Sequence, residues 1–375
     1  MSVPRSQVES AYMQWAKLHS AAPVNLATSA IAPLSLGDLP IHLEDLALNA
    51  PGSYGYAPLQ ERLGSYLGVS SDSIVSAPGT SMANLLAMAA AFEPGDEVLF
   101  ERPTYEPMLQ TAVFLGAEVR RFERRRENGF RVDPDELRRR ITPRTRLVVL
   151  ANLHNPTSAL TSEADLRAAG EIARGVGARV LVDEVYLEAL FYRRPPAALR
   201  LGPEFISTSS LTKAYGLGGL RCGWVVAEPE MARRIWRIRD LHDVNSAHVA
   251  ERIATIVMDH REKLEERGET LLGTNRPIVG SFLDEHPEME VSRPPFGTVL
   301  MLRAPIAPSS GRAPGGDADA FCRLLRERYE TSVVPGAFFG MPDCFRVGIG
   351  GGTAELKEGL ERLAAANAEF QKRGA

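Results

Sequence analysis

Apolar and polar residues follow two rhythms along this chain. Between about residues 75 and 230, short strand-like runs alternate with longer amphipathic stretches. Residues 98–100, 118–123, 146–151, 179–182, 204–208 and 222–227 read as strands. The run 146–151 is strongly apolar, the pattern of a strand buried on both faces. Strands alternating with helices predict an α/β fold around a mixed, mostly parallel sheet sandwiched by helices. Helical spacing covers 8–18, where Val8, Tyr12, Trp15 and Ala16 fall near one face, and also 59–67 and 82–92. Residues 228–242 and 247–266 form a long helical region with a bend near Asn245. The proline-punctuated stretch 25–36 reads as a loop. From about residue 271 the rhythm changes to short strands (290–292, 299–303), a Pro/Gly/Ser-rich loop (304–317) and helices at 318–329 and 354–370. This reads as a smaller α+β unit. The expected division is a large unit over 46–270 and a small one combining 1–45 with 271–375.

Bulk composition narrows the function classes. A chain of 375 residues exceeds one ordinary domain. It is 44% hydrophobic and 24% charged, as in globular proteins. A net charge of −4 supplies no basic field for nucleic acid. The cysteines, 222, 322 and 344, are odd in number and widely spaced, which fits a reducing cytoplasm better than a disulfide framework or a zinc site. His242, His248 and His260 have no metal-ligand spacing with acids, so no metal is expected. Residues 1–20 do not read as a signal peptide, and no run is long enough to span a membrane. The Arg124-Arg125-Arg126 run also carries Glu123 and Glu127 nearby and reads as a solvated loop.

The chemistry gathers at strand ends. Lysine is rare here, with five against 38 arginines, yet Lys213 stands among hydroxyls and glycines after the 204–208 run. A desolvated lysine can lose its proton and attack a carbonyl, which arginine cannot do. By itself such a lysine also suits a surface turn. Gly79-Thr80-Ser81 opens a helix, where free N–H groups and the helix dipole favour an anion. Tyr105 follows one strand, Asn155-Pro156-Thr157 another, and Asp183-Glu184-Val185-Tyr186 a third. Arg346 lies in the pattern Phe-Arg-Val-Gly.

Ser210-x-x-Lys213 with Arg221 eight residues on resembles the cofactor-lysine motif of the fold-type I pyridoxal-phosphate (PLP) enzymes, the class I/II aminotransferases. The other motifs follow in that family's order over nearly the whole chain. The resemblance implies a Schiff base on Lys213, with cofactor phosphate held by Ser210, Arg221, Thr80 and Ser81. It implies Tyr105 stacked on the pyridine ring, Asn155 and Tyr186 on the ring oxygen, and Asp183 on the ring nitrogen. Arg346 would clamp the substrate carboxylate beside Asn155. Tyr54, with Tyr56 as the alternative, would reach the partner subunit's cofactor phosphate in a homodimer. Two positions depart from the family pattern: Ser158 replaces a usual glycine, and Phe296 precedes Gly297-Thr298.

The reaction so implied moves an amino group from an α-amino acid to a 2-oxo acid, in the cytoplasm, with Lys213, Asp183 and Tyr186 catalytic. The same residues also suit a PLP-dependent lyase, synthase or ring-forming enzyme, including one acting on S-adenosylmethionine. A non-enzymatic sensor of this fold would be expected to carry a basic DNA-binding extension, which is not evident here. Gly216-x-Gly218-Gly219 is no dinucleotide fingerprint, because it follows the lysine rather than the first strand.

Overall fold

The computed structural model describes residues 4–49, 53–305 and 318–372. Helix α1 (Ala11–Leu18) and the short strand β1 (Val24–Asn25) come first, followed by helix α2 (Ala57–Leu67). Strand β2 (Ile74–Ala77) leads into α3 (Thr80–Ala91), and β3 (Glu97–Arg102) into α4 (Glu106–Phe114). Next come β4 (Glu118–Glu123), α5 (Pro134–Arg140), β5 (Thr145–Ala151), α6 (Glu163–Arg174), β6 (Arg179–Asp183), β7 (Phe205–Ser210) and β8 (Gly223–Val226). Helices α7 (Pro229–Arg239), α8 (His248–Asp259) and α9 (Arg261–Glu285) precede β9 (Val299–Arg303). The chain closes with α10 (Ala318–Arg328), β10 (Thr331–Ser332), β11 (Val334–Pro335), β12 (Cys344–Gly348) and α11 (Thr353–Lys372).

The main sheet has seven strands in the order β2-β8-β7-β6-β5-β3-β4. The five strands from β7 to β4 are mutually parallel. Strand β8 runs antiparallel to both β7 and β2. Strand β2 therefore shares the direction of β7, and α3 starts at the edge where β5, β6 and β7 end. Both faces of the sheet are covered. Leu147, Val149, Leu181 and Ile206 pack on one side with α3 and α7. Val148, Leu150, Val180 and Val182 pack on the other with α6. Two-sided burial explains why 147–151 is continuously apolar.

A second, antiparallel sheet has the order β11-β12-β9. Phe345 and Val347 of its middle strand face the core under α10 and α11. Strand alternation sends Arg346 to the opposite face. The N-terminal segment joins this region, because β1 pairs in parallel with β10.

Several expected elements differ in detail. Residues 290–292 form only an isolated bridge, Glu290 to Leu302, rather than a strand. The stretch 247–266 is two helices meeting at His260, and α9 runs on to Glu285 past the change of rhythm. Most of the expected 304–317 loop, residues 306–317, lies outside the described residues. Arg124 is not solvated: it is fully enclosed and ion-paired with Glu101, 2.7 Å away. Among the described residues, no helix is long and apolar enough to cross a membrane.

Candidate active site

Strand register builds one end of the site. Ala77 and Ser210 both pair with Gly223, from either side. The turn after β2 consequently lies beside the end of β7, and Thr80 Oγ1 donates to Ser210 Oγ at 2.8 Å. Gly79 caps α3 with φ +84°, and a Cβ there would stand 2.2 Å from Arg221 Nη2. Only glycine leaves room for that guanidinium. Arg221 donates to Pro78 O and Gly218 O, at 3.1 and 3.2 Å. Hydroxyls, a helix start and a cation thus surround one spot at the sheet edge.

These residues open onto a cavity of about 430 Å³. Its lining includes Thr80, Ser81, Asn155, Asp183, Lys213 and Arg221. Tyr105, Tyr186 and Ser210 complete the set of sequence-derived candidates along this wall. A larger cleft of about 670 Å³ lies elsewhere, between α2 and the start of α9, lined by Arg261, Glu262, Glu265 and Glu266 among others.

Lys213 is half-buried, and its Nζ donates to Ser29 Oγ at 2.9 Å. Burial is the main cause lowering its pKa below the ordinary lysine value; Arg346 and Arg221 act the same way, and Tyr12 and Asp183 oppose them. Ser29 is carried on a loop pressed against β12. A Cβ on Gly348 would stand 1.8 Å from Thr28 O. Ile31 N donates to Lys213 O, and Thr298 Oγ1 to Ser29 O.

Asp183 ends β6 and is buried. Asn84 Nδ2 and Val185 N donate to its carboxylate, at 2.9 and 3.0 Å. Burial raises its pKa, opposed by Asn84, Val185 and Lys213. Burial likewise raises the pKa of Tyr186, with Arg346 and Ser29 opposing. Tyr105 caps α4, with its hydroxyl on Met13 Sδ at 3.7 Å.

Arg346 lies behind the lining residues Asn155 and Tyr12 and is 1% exposed. Its Nη1 donates to Asn155 Oδ1 at 2.8 Å and its Nη2 to Tyr12 OH at 3.1 Å. Its Nε is buried with no partner. No carboxylate among the described residues pairs with it. The Asn155 loop is braced by His154, whose ring meets Thr157 Oγ1 at 2.7 Å and Pro103 O at 3.0 Å. Ser158 adopts φ +57° and donates to Val299 O. Phe296 packs on Leu153, Val185 and Tyr186.

Tyr54 lies outside this cavity's lining. It is 46% exposed, with its hydroxyl on Asp240 Oδ2 at 3.0 Å. Tyr56 stacks edge-on against His248. Neighbours of the cavity that escaped the sequence reading include Tyr12, Met13, Lys17, Ser29 and Asn84. Asn84 carried a signal, being a polar residue one turn after Thr80 in an otherwise apolar helix.

Residues 38–363 match the family described as aminotransferase class I and II. Capreomycidine synthase of Streptomyces vinaceus is 31% identical over 293 residues, covering 77% of this chain and 73% of that protein. Arginine–pyruvate transaminase AruH of Pseudomonas aeruginosa is 28% identical over 309 residues, covering 80% and 76%. The crystal structure of a PLP-dependent aminotransferase from Streptococcus suis superposes with a TM-score of 0.89 at 27% identity, over 99% of both chains. With the motifs in order around one cavity and a family match over most of its length, this chain belongs to the class I and II aminotransferases.

Proposed function

We propose that this enzyme transfers the amino group of an α-amino acid to a 2-oxo acid, using Lys213 as the reacting amine. The cofactor of the family, and of this chain, is pyridoxal 5′-phosphate. The residues fit it. Thr80, Ser81, Ser210 and Arg221 make an anion cradle for the phosphate, and the φ +84° turn at Gly79 leaves room for the Arg221 guanidinium beside it. Asp183, buried without an ion-pair partner among the described residues, suits a protonated ring nitrogen. Tyr186 and Asn155 suit the ring oxygen, and Tyr105 the ring face. When bound, PLP supplies an aldehyde that exchanges amines and a ring that accepts electrons.

The protein's own groups do the rest. Arg346 takes the substrate α-carboxylate, because a buried guanidinium lacking a counter-ion gains most from an anion. That anchor orients the substrate Cα toward Lys213. The depressed pKa of Lys213 makes the neutral amine more available, so it can take the Cα proton and return it. Enclosure by α1 and the Asn155 loop limits water. The single observation carrying this reading is the arrangement itself: a lysine amine and a buried carboxylate line one cavity, and a buried arginine without a counter-ion among the described residues bonds to Asn155 and Tyr12 of that lining.

We place the large unit at 46–270 and the small one at 1–45 with 271–375. A cytoplasmic homodimer follows from the same reading, with Tyr54 reaching the partner subunit's phosphate site. One relative's name, arginine–pyruvate transaminase, favours basic donors for the first trials. A second reading, a PLP-dependent synthase or ring-forming enzyme, is favoured by the relative named a synthase.

The test mixes PLP-loaded protein with single amino acids, arginine and aspartate among them, or with S-adenosylmethionine, and no 2-oxo acid. Transamination releases one 2-oxo acid per site and leaves pyridoxamine phosphate. Repeated consumption without an acceptor moves the enzyme to the second reading. Consumption of nothing overturns both.

A further inference from the structure

Helix α1 belongs to no motif that marks the family here, yet it closes the substrate end of the cavity. Tyr12 and Met13 line the cavity from it. Tyr12 is 8% exposed and is packed edge-on against Tyr105 and Phe338, with ring centroids 5.5 and 5.6 Å away. Phe339 adds a third ring at 5.8 Å. The helix start is tied to α4, because Ser10 Oγ and Ala11 N both donate to the Glu106 carboxylate. Ring and helix are thus held in place before any ligand arrives.

The Tyr12 hydroxyl accepts from Arg346 Nη2 at 3.1 Å. Its own O–H has no acceptor among the described residues. Arg346 meanwhile keeps a buried Nε without a partner. A free O–H on the cavity lining therefore stands beside a cation that has no counter-ion among the described residues. An acceptor-only group such as a carboxylate satisfies that O–H and offsets the cation's charge, and bonds to an ionised partner are the strong ones.

We infer that Tyr12 is a substrate-binding residue: its hydroxyl donates to the substrate α-carboxylate beside Arg346, so α1 is part of the binding site. This rests on the reading of Arg346 as the carboxylate anchor. The phenol accepts from the guanidinium and donates to the anion at once. Tyr12→Phe removes only the oxygen and leaves the ring cluster intact.

The experiment titrates PLP-loaded enzyme with 2-methylalanine and with isopropylamine, read by cofactor absorbance. The two probes share the amine and both methyl groups and differ in the carboxylate. The wild type should bind 2-methylalanine more tightly. Tyr12→Phe should lower that preference about tenfold, the scale of one hydrogen bond to a charged group, with isopropylamine binding nearly unchanged. An unchanged preference, an equal loss for both probes, or no preference in the wild type overturns the inference. 2-Methylalanine has no Cα hydrogen, so the readout does not depend on transamination. A wild type that prefers 2-methylalanine but makes no 2-oxo acid from any amino acid sinks the transaminase reading and leaves Tyr12 standing.

Discussion

The two ends of the cavity are built differently. At the proposed cofactor end, Thr80, Asp183, Ser210 and Arg221 stand on or beside neighbouring strands of one sheet. Ladder register places them, and their polar atoms largely satisfy one another through Asn84, Val185 and short hydroxyl contacts. At the proposed substrate end, Tyr12, Asn155 and Arg346 come from a surface helix, a loop of the large sheet and the small sheet. Their register is set by packing between units, and the central guanidinium is left without a counter-ion. A satisfied end suits a resident group. An unsatisfied, buried cation suits an anion that comes and goes.

The largest effect should come from Lys213, which both ends serve. Lys213→Ala should lower the half-reaction by roughly 10²–10⁴-fold or more, with PLP still retained non-covalently on gel filtration. Full activity in that variant would remove the basis of the comparison. Arg346→Ala should act on the substrate end alone. Amino acid affinity should fall by about 2–5 kcal/mol, while PLP affinity holds. Arg221→Ala should show the reverse split, with PLP binding weaker by about 1.5–3 kcal/mol and KM for the amino acid little changed. If either variant damages both ends equally, the division into two ends is wrong.

A pH experiment sharpens the picture further. The folded pKa of Lys213 is lowered, so its neutral amine grows in as pH rises through a value below the ordinary lysine figure of about 10.4. The rate of PLP attachment to cofactor-free protein should follow that rise. A midpoint at or above the ordinary value would show that burial does not tune this amine. By linkage, the unfolded chain binds the extra proton within this window, so stability should also rise with pH there.

The smallest effect belongs to Ser158, which bridges the Asn155 loop and β9. A non-glycine residue at φ +57° costs about 1–2 kcal/mol, while the hydrogen bond to Val299 O contributes about 0.5–1.5 kcal/mol. These nearly cancel, so Ser158→Gly should shift Tm by only a few degrees in a thermal melt. A shift above about 10 °C would mean that the bridge couples the two ends more strongly than its geometry suggests.

Legibility in the sequence follows the same division. Strand-end motifs are local: Asp183-Glu184-Val185-Tyr186 and Ser210-Leu211-Thr212-Lys213 each carry an apolar run, its end and its reactive groups in one short stretch. Arg346 could be singled out because Phe345-Arg346-Val347-Gly348 resembles a strand motif of the family; alternation along that strand then separates it from Phe345 and Val347. Tyr12 was not, since an apolar helix face looks the same whether it meets core or cavity. Ser29 sat in a loop without periodicity, placed by the close pass over Gly348. Arg124 was misread as solvated because its partner Glu101 lies on a different strand.

The sequence by itself determined the alternation of strands and helices, the two-sided burial of the central strands and the order of the motifs. Those are properties of neighbouring residues, set by side-chain period and backbone chemistry. Only the tertiary structure decided that α1 closes the cavity, that Ser29 meets Lys213, and that Arg346 keeps a buried donor unpaired. Such facts depend on which distant surfaces meet, and Tyr12 lies 334 residues from the arginine it touches. No local pattern encodes a contact whose partners are brought together only by the packing of the whole chain.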